Sequence, residues 1–248
     1  MVIDRSAMKR RAQELNRSAR VNVYLFTLLF LAITAALTAL DTLATGGSVQ
    51  EVLDYYGQLG IEVDFTLPTL SLPPMVAAFL GIAATLLTQV LQCGYYAYHL
   101  RLRRGETSEY ATLFDGFLFP GKIILLSVVM SIFVALWTML FFFPGIIALY
   151  RYRFAYYNLC SDPDMGVMDA LRLSIQQTRG YKWQLFMLDL SFLGWDILCI
   201  FTAGVLNVWL MPYFQQTNIG YYYAICQNKG IPIPGKDPEP LSLNTPNF

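Results

Sequence analysis

Four charged side chains fall inside long apolar stretches: Arg151 and Arg153 in one, Asp189 and Asp196 in another. Insertion scales put such a charge at roughly 2.5–3.5 kcal/mol near the centre of a bilayer, so each needs a partner or a water-filled niche. Asp189 and Asp196 are seven residues apart, which places them on one face of a helix. At ~1.5 Å of rise per residue, Arg151 and Asp196 come to similar depths in their stretches. The expected pairs are Arg151–Asp196 and Arg153–Asp189. They would clamp two helices together, or form a polar path or anion site; a different topology would leave Arg151 and Arg153 at a membrane interface. A second set, Thr85, Gln89, Gln92 and Tyr96, recurs at spacings of four, three and four, one helical face, with His99 three residues on. In lipid such groups hydrogen-bond between helices, adding ~0.6–2 kcal/mol each. The alternative is a cavity shared with Gln215 and Asn218.

Other chemistry finds little support. The sequence holds no P-loop, GxGxxG, GxSxG or HExxH pattern, and no nucleophile has an evident base beside it. Both aspartates lie on one predicted helix, whereas carboxylates cooperating in peptide hydrolysis normally come from separate elements. His99, the single histidine, has no clustered ligands around it, so no metal, cofactor or catalytic residue is expected. Cys93, Cys160, Cys199 and Cys226 are scattered without a CxxC pair and read as small apolar packing residues, not as a disulfide framework.

The elements that position these groups belong to a membrane protein. Of 248 residues, 56% are hydrophobic and 14% charged, against roughly 25% charged in soluble domains. A chain this short could not hide so much apolar surface from water; lipid tails solvate the surplus. The net charge of zero gives no general attraction to nucleic acid. The expected fold is all-α: a polytopic transmembrane helical bundle of about six spans with amphipathic interfacial helices.

Residues 1–21 carry a basic amphipathic helix with six Lys or Arg against two acids. It reads either as lying on an anionic bilayer surface or as a solvated helix obeying the positive-inside rule. The run after it is too long for a signal-peptide core. The membrane domain, 22–228, divides into spans 22–44, 75–98, 122–143, 145–160, 183–206 and 208–226. An acidic outer loop, 45–73, has a Ser48–Glu51 capping box that predicts a short helix. Interfacial helices are expected over 108–119, with Ser108 as cap, and over 162–180, capped by Asp162 with Pro163 in the first turn. The stretch 122–160 exceeds one span, and Pro144-Gly145 is the expected bend that returns the chain so that Arg172, Arg179 and Lys182 stay inside. Residues 229–248 read as a Pro-rich disordered cytoplasmic tail.

From 94 to 223 the chain resembles an uncharacterised bacterial integral membrane family, domain of unknown function nine hundred seventy-five. The resemblance rests on GYYAYHLRLRRGE (94–106), LFDGF (113–117), FPGIIALYRYRFAYY (143–157), SDPDMGVMDALRLS (161–174), GYKWQLFMLDLSFLGW (180–195) and WLMPY (209–213). The PGII turn, the amphipathic helix after it and the GYKW segment also look distantly like the membrane domain joined to some glycerophosphodiester phosphodiesterases, although no catalytic part of that enzyme is present. The resemblance implies a multi-pass bacterial plasma-membrane protein and carries no functional residues. Two functions remain open. One is a non-enzymatic scaffold or accessory subunit that binds a protein or lipid partner, possible anionic lipids at the N-terminal helix among them. The other is a small transporter or permease component with a polar intramembrane site.

Overall fold

The computed structural model describes residues 3–45, 72–202 and 204–235. The helix expected near Ser48 and the tail beyond residue 235 lie outside these. Among the described residues there are ten α-helices and one 3-10 helix, and no strand: α1 Arg5–Ser18, α2 Val23–Thr45, α3 Pro74–Arg104, the 3-10 helix Tyr110–Leu118, α4 Pro120–Leu140, α5 Phe142–Tyr152, α6 Ala155–Ser161, α7 Val167–Thr178, α8 Lys182–Leu190, α9 Leu193–Phe201 and α10 Asn207–Lys229.

Asp4 caps α1, its carboxylate accepting the backbone N–H groups of Ser6 and Ala7. Pro73 and Pro74 open α3, where a missing N–H costs nothing, and Gly105 closes it at φ 76°. The 31 residues of α3 measure about 46 Å, well beyond a hydrocarbon core of ~30 Å. The helix outruns the expected 75–98 because Arg101, Arg103 and Arg104 sit in its last turn, where cations favour the negative end of the helix dipole. The connector 110–118 is 3-10 and not α. Its cap is Glu109, paired reciprocally with Thr112, in place of Ser108. Two glycines let it lie flat on α3: a β-carbon on Gly94 would run into the Leu113 carbonyl, and one on Gly116 into the Val90 carbonyl.

The chain reverses between α4 and α5, but the turning residue is Phe141, extended at φ −163° and ψ 151°. Pro144 instead occupies the first turn of α5, where no intrahelical partner is lost. Gly145 provides close approach, since a β-carbon there would meet Thr138 of α4. The returning arm is broken between α5 and α6 at Arg153–Phe154. It comes back to the level where α4 began: Lys122 donates to the Pro163 carbonyl at 2.5 Å and reaches the Met165 carbonyl at 3.4 Å. Cys93 of α3 and Cys160 of α6 are joined as a disulfide, their Cα atoms 6.1 Å apart. This corrects the packing role assigned to both, because helices far apart in sequence bring them together; Cys199 and Cys226 are free and buried.

The interfacial helix starts later than expected. Asp162 accepts the Asp164 N–H in a local turn, and α7 begins after Gly166, its N-cap. It buries Val167, Ala170 and Leu171, while Met168 is 46% exposed. The expected span 183–206 is two helices separated at Ser191–Phe192.

Among the described residues, four stretches are long and apolar enough to cross a membrane: Val23–Ala44, Met75–Arg104, Pro120–Leu140 and Lys182–Phe201. Their exposed surface is rich in large apolar side chains, among them Leu28, Phe79, Ile132, Met139 and Phe201. The other two expected spans, 145–160 and 208–226, are not among these four. The return arm α5–α6 is interrupted and short. Helix α10 is the buried centre of the molecule, packed by α1, α2, α3 and α7, with Gln215, Gln216, Thr217 and Asn218 all enclosed.

Candidate functional site

The break between α5 and α6 builds the most polar part of the core. Its backbone is satisfied from α7: Ser174 Oγ accepts the Phe154 N–H at 3.1 Å and donates to the Arg151 carbonyl at 3.0 Å, and Thr178 Oγ1 donates to that carbonyl at 3.2 Å. The break carries Arg153 to α8 and α10. Its guanidinium grips Asp189 with two bonds, of 2.5 and 2.7 Å, and donates to Asn218 Oδ1 at 2.5 Å. Tyr150 donates to the same carboxylate at 2.8 Å. The guanidinium carbon also lies 5.6 Å from the Tyr150 ring and 6.0 Å from that of Phe214. A fork-on-carboxylate pair of this kind fixes orientation as well as charge.

Around it buried amides bond to one another and to aromatic neighbours, while Gln216 Oε1 and His99 Nε2 stay without a hydrogen-bond partner. Asn158 and Gln177 exchange two hydrogen bonds of 3.0 Å each, and Tyr222 donates to Asn158 Oδ1 at 3.0 Å. Gln215 donates to the Tyr157 hydroxyl at 3.1 Å. Gln216 donates to the His99 carbonyl at 2.9 Å, and its amide nitrogen stands 3.1 Å from His99 Nδ1. Gln177 Nε2 also stands 3.5 Å from the Cys226 sulfur. Lys9 and Arg5 of α1 close the outer edge, Lys9 donating to the Ser191 carbonyl at 3.3 Å and Arg5 to that of Met187 at 3.3 Å, both at the negative end of α8.

Arg153 and Asp189 are thus joined, and Arg151 and Asp196 are not. Asp196 is exposed on α9, turned away by the break at Ser191–Phe192 that the seven-residue spacing could not register. Arg151 lies against the Tyr152 ring at 6.0 Å, its Nε buried without a hydrogen-bond partner. The stripe on α3 also divides. Thr85 is exposed and bonds only to its own helix, at Gly81. Gln89 accepts from Tyr156 at 3.4 Å. Gln92 bonds to Tyr96, whose ring packs edge-on to Tyr157 at 5.2 Å. Gln215 and Asn218 fill this centre instead of opening it. Among the described residues no group of three or more acidic, histidine or cysteine side chains could hold a metal. Sequence reasoning missed Ser174, Gln177 and Thr178, although their spacing continues the buried face of Ala170 and Leu171.

No curated protein and no solved structure matches the chain, so the likeness to the phosphodiesterase membrane domain gains no support. Residues 142–229, which hold Tyr150, Arg153, Asp189 and Asn218, match the family model described as Protein of unknown function (DUF975).

Proposed function

We propose that this chain is a non-enzymatic membrane scaffold or accessory subunit of the bacterial plasma membrane, with both ends in the cytoplasm. The supporting observation is the polar centre: Arg153, Asp189, Asn218 and Tyr150 hydrogen-bond to one another and tie α5 and the break after it to α8 and α10. A permease site built on Gln89, Gln92, Arg151 and Asp196 would need these groups around one opening, and they are dispersed. The binding face of the scaffold is α1. One side of it is fixed to the core through Ala12, Arg5 and Lys9, while Arg10, Arg11, Arg17 and Arg20 remain exposed and suit an acidic protein surface or an anionic bilayer.

The test has two arms. Proteoliposomes containing the chain should take up rubidium, phosphate and amino acids no faster than empty vesicles. A photoreactive side chain at Arg10 should give a discrete heavier adduct in native membranes. Uptake that disappears in Arg153→Met would overturn the reading in favour of transport.

A further inference from the structure

A cavity of about 190 Å³ opens between the C-terminal half of α1 and the α9–α10 corner, lined by Asn16, Arg17, Tyr24, Trp195, Trp209 and Tyr213 among others. Asn16 is only 6% exposed, yet its side-chain oxygen has no hydrogen-bond partner. A buried carbonyl left unpaired is destabilising, so a group that enters the cavity and donates to it is retained here. Arg17 adds a cation at the rim: it is exposed, and no ion pair engages it among the described residues. The opposite wall is apolar and aromatic. Trp195 and Trp209 are 48% and 54% exposed, and from Trp195 the exposed surface continues along α9 over Leu198, Ile200 and Phe201.

We infer that this cavity seats the headgroup of a single phospholipid, one that carries a hydrogen-bond donor beyond its phosphate, an ethanolamine ammonium or a glycerol hydroxyl. Arg17 pairs with the phosphate, the Asn16 carbonyl accepts from the headgroup donor, and the acyl chains leave along α9. The volume limits the enclosed part: pockets that take drug-sized ligands run to about 300–1,000 Å³, so this smaller space holds a headgroup and not the chains. Tryptophan on either side suits the boundary between headgroups and hydrocarbon, where its ring is half apolar and its N–H is wet. The inference rests on α1 lying at the bilayer surface, as proposed above, but not on the scaffold having a protein partner.

Native mass spectrometry of the full chain in detergent tests it. Wild-type protein is titrated with dioleoyl phosphatidylethanolamine, with dioleoyl phosphatidylglycerol, with dioleoyl phosphatidylcholine, whose headgroup has no donor, and with two soluble probes, glycerophosphoethanolamine and inorganic phosphate. One molecule of either donor-bearing lipid should be retained about tenfold more tightly than phosphatidylcholine. Arg17→Gln should lose the preference for phospholipid generally, and Asn16→Leu should lose the discrimination against phosphatidylcholine. Asn16→Leu should also raise the melting temperature of delipidated protein, because an unpaired acceptor has gone; Arg17→Gln, at an exposed position, keeps the measurement open if Asn16→Leu fails to fold. Equal retention of all three lipids, or wild-type retention in Arg17→Gln, overturns the site. Binding of the soluble probes as tight as that of the lipids assigns the cavity to a free phosphate ester and overturns the lipid. The photocrosslinking arm at Arg10 is read separately, so failure of the cavity is distinguishable from failure of the scaffold.

Discussion

At the scale of single residues, two arginines two positions apart have opposite situations. Arg153 is held by Asp189, with side-chain exposures of 17% and 30%, and removing the carboxylate strands a partly buried cation. Loss of one partner of a fully buried pair costs ~3–5 kcal/mol; discounting for this exposure, Asp189→Leu should cost about 2–3 kcal/mol in thermal unfolding in detergent. Arg151→Met should cost less than about 1 kcal/mol, since no ion pair is broken. Equal losses would show that the pair carries no special energy. Asp4 gives a pH prediction. The Ser6 hydroxyl, followed by the Ala7 and Ser6 backbone N–H groups, holds its carboxyl below the ordinary 3.8. A group depressed in the folded state stabilises fully above its unfolded value, and that contribution fades as pH falls through the folded value. Docking of α1, followed by protease cleavage at Arg10 or Arg11, should therefore weaken below about pH 4, and Asp4→Asn should remove most of that dependence while keeping a cap.

At the scale of elements, glycine decides which helices touch. Gly94→Ala puts a methyl group into the Leu113 carbonyl, a backbone atom that cannot swing aside. Overpacking of this kind costs ~1–3 kcal/mol, and here it should lift the 3-10 helix off α3 and expose the buried Leu113 to proteolysis of the connector. Gly121→Ala is the control. Nothing lies within 4 Å of its β-position, so in the first turn of α4 the change should be neutral or stabilise by up to about 1 kcal/mol. If both substitutions behave alike, contact between α3 and the connector is not limiting.

At the scale of the whole molecule, the Lys122 bonds to Pro163 and Met165 tie the start of α4 to the connector before α7. Thr107 and Arg172, both exposed, therefore belong to one end of the bundle, and Met75 and Met139, 87% and 86% exposed, to the other. Single cysteines at Thr107 and Arg172 should react with an impermeant maleimide from one side of the membrane, and those at Met75 and Met139 from the other. Native thiols interfere little, being bridged or buried. Labelling of Arg172→Cys from the side that reaches Met139→Cys would overturn the return of the chain through α5 and α6.

Local chemistry was legible in the sequence: apolar runs long enough for α2, α3 and α4, a basic amphipathic start, a chain reversal near residue 144, and the Arg153–Asp189 partnership. These follow from what lipid and backbone demand of any chain, composition and spacing alone setting them. Tertiary structure alone decided which polar groups meet. The break at Ser191–Phe192 parted Asp196 from Asp189, the break at Arg153–Phe154 swung one arginine inward and left its neighbour without an ion pair among the described residues, and packing on four sides made α10 a buried centre. A helix period assumes a continuous axis, and each of these outcomes turns on where the axis ends, which neighbouring helices fix and no local pattern records.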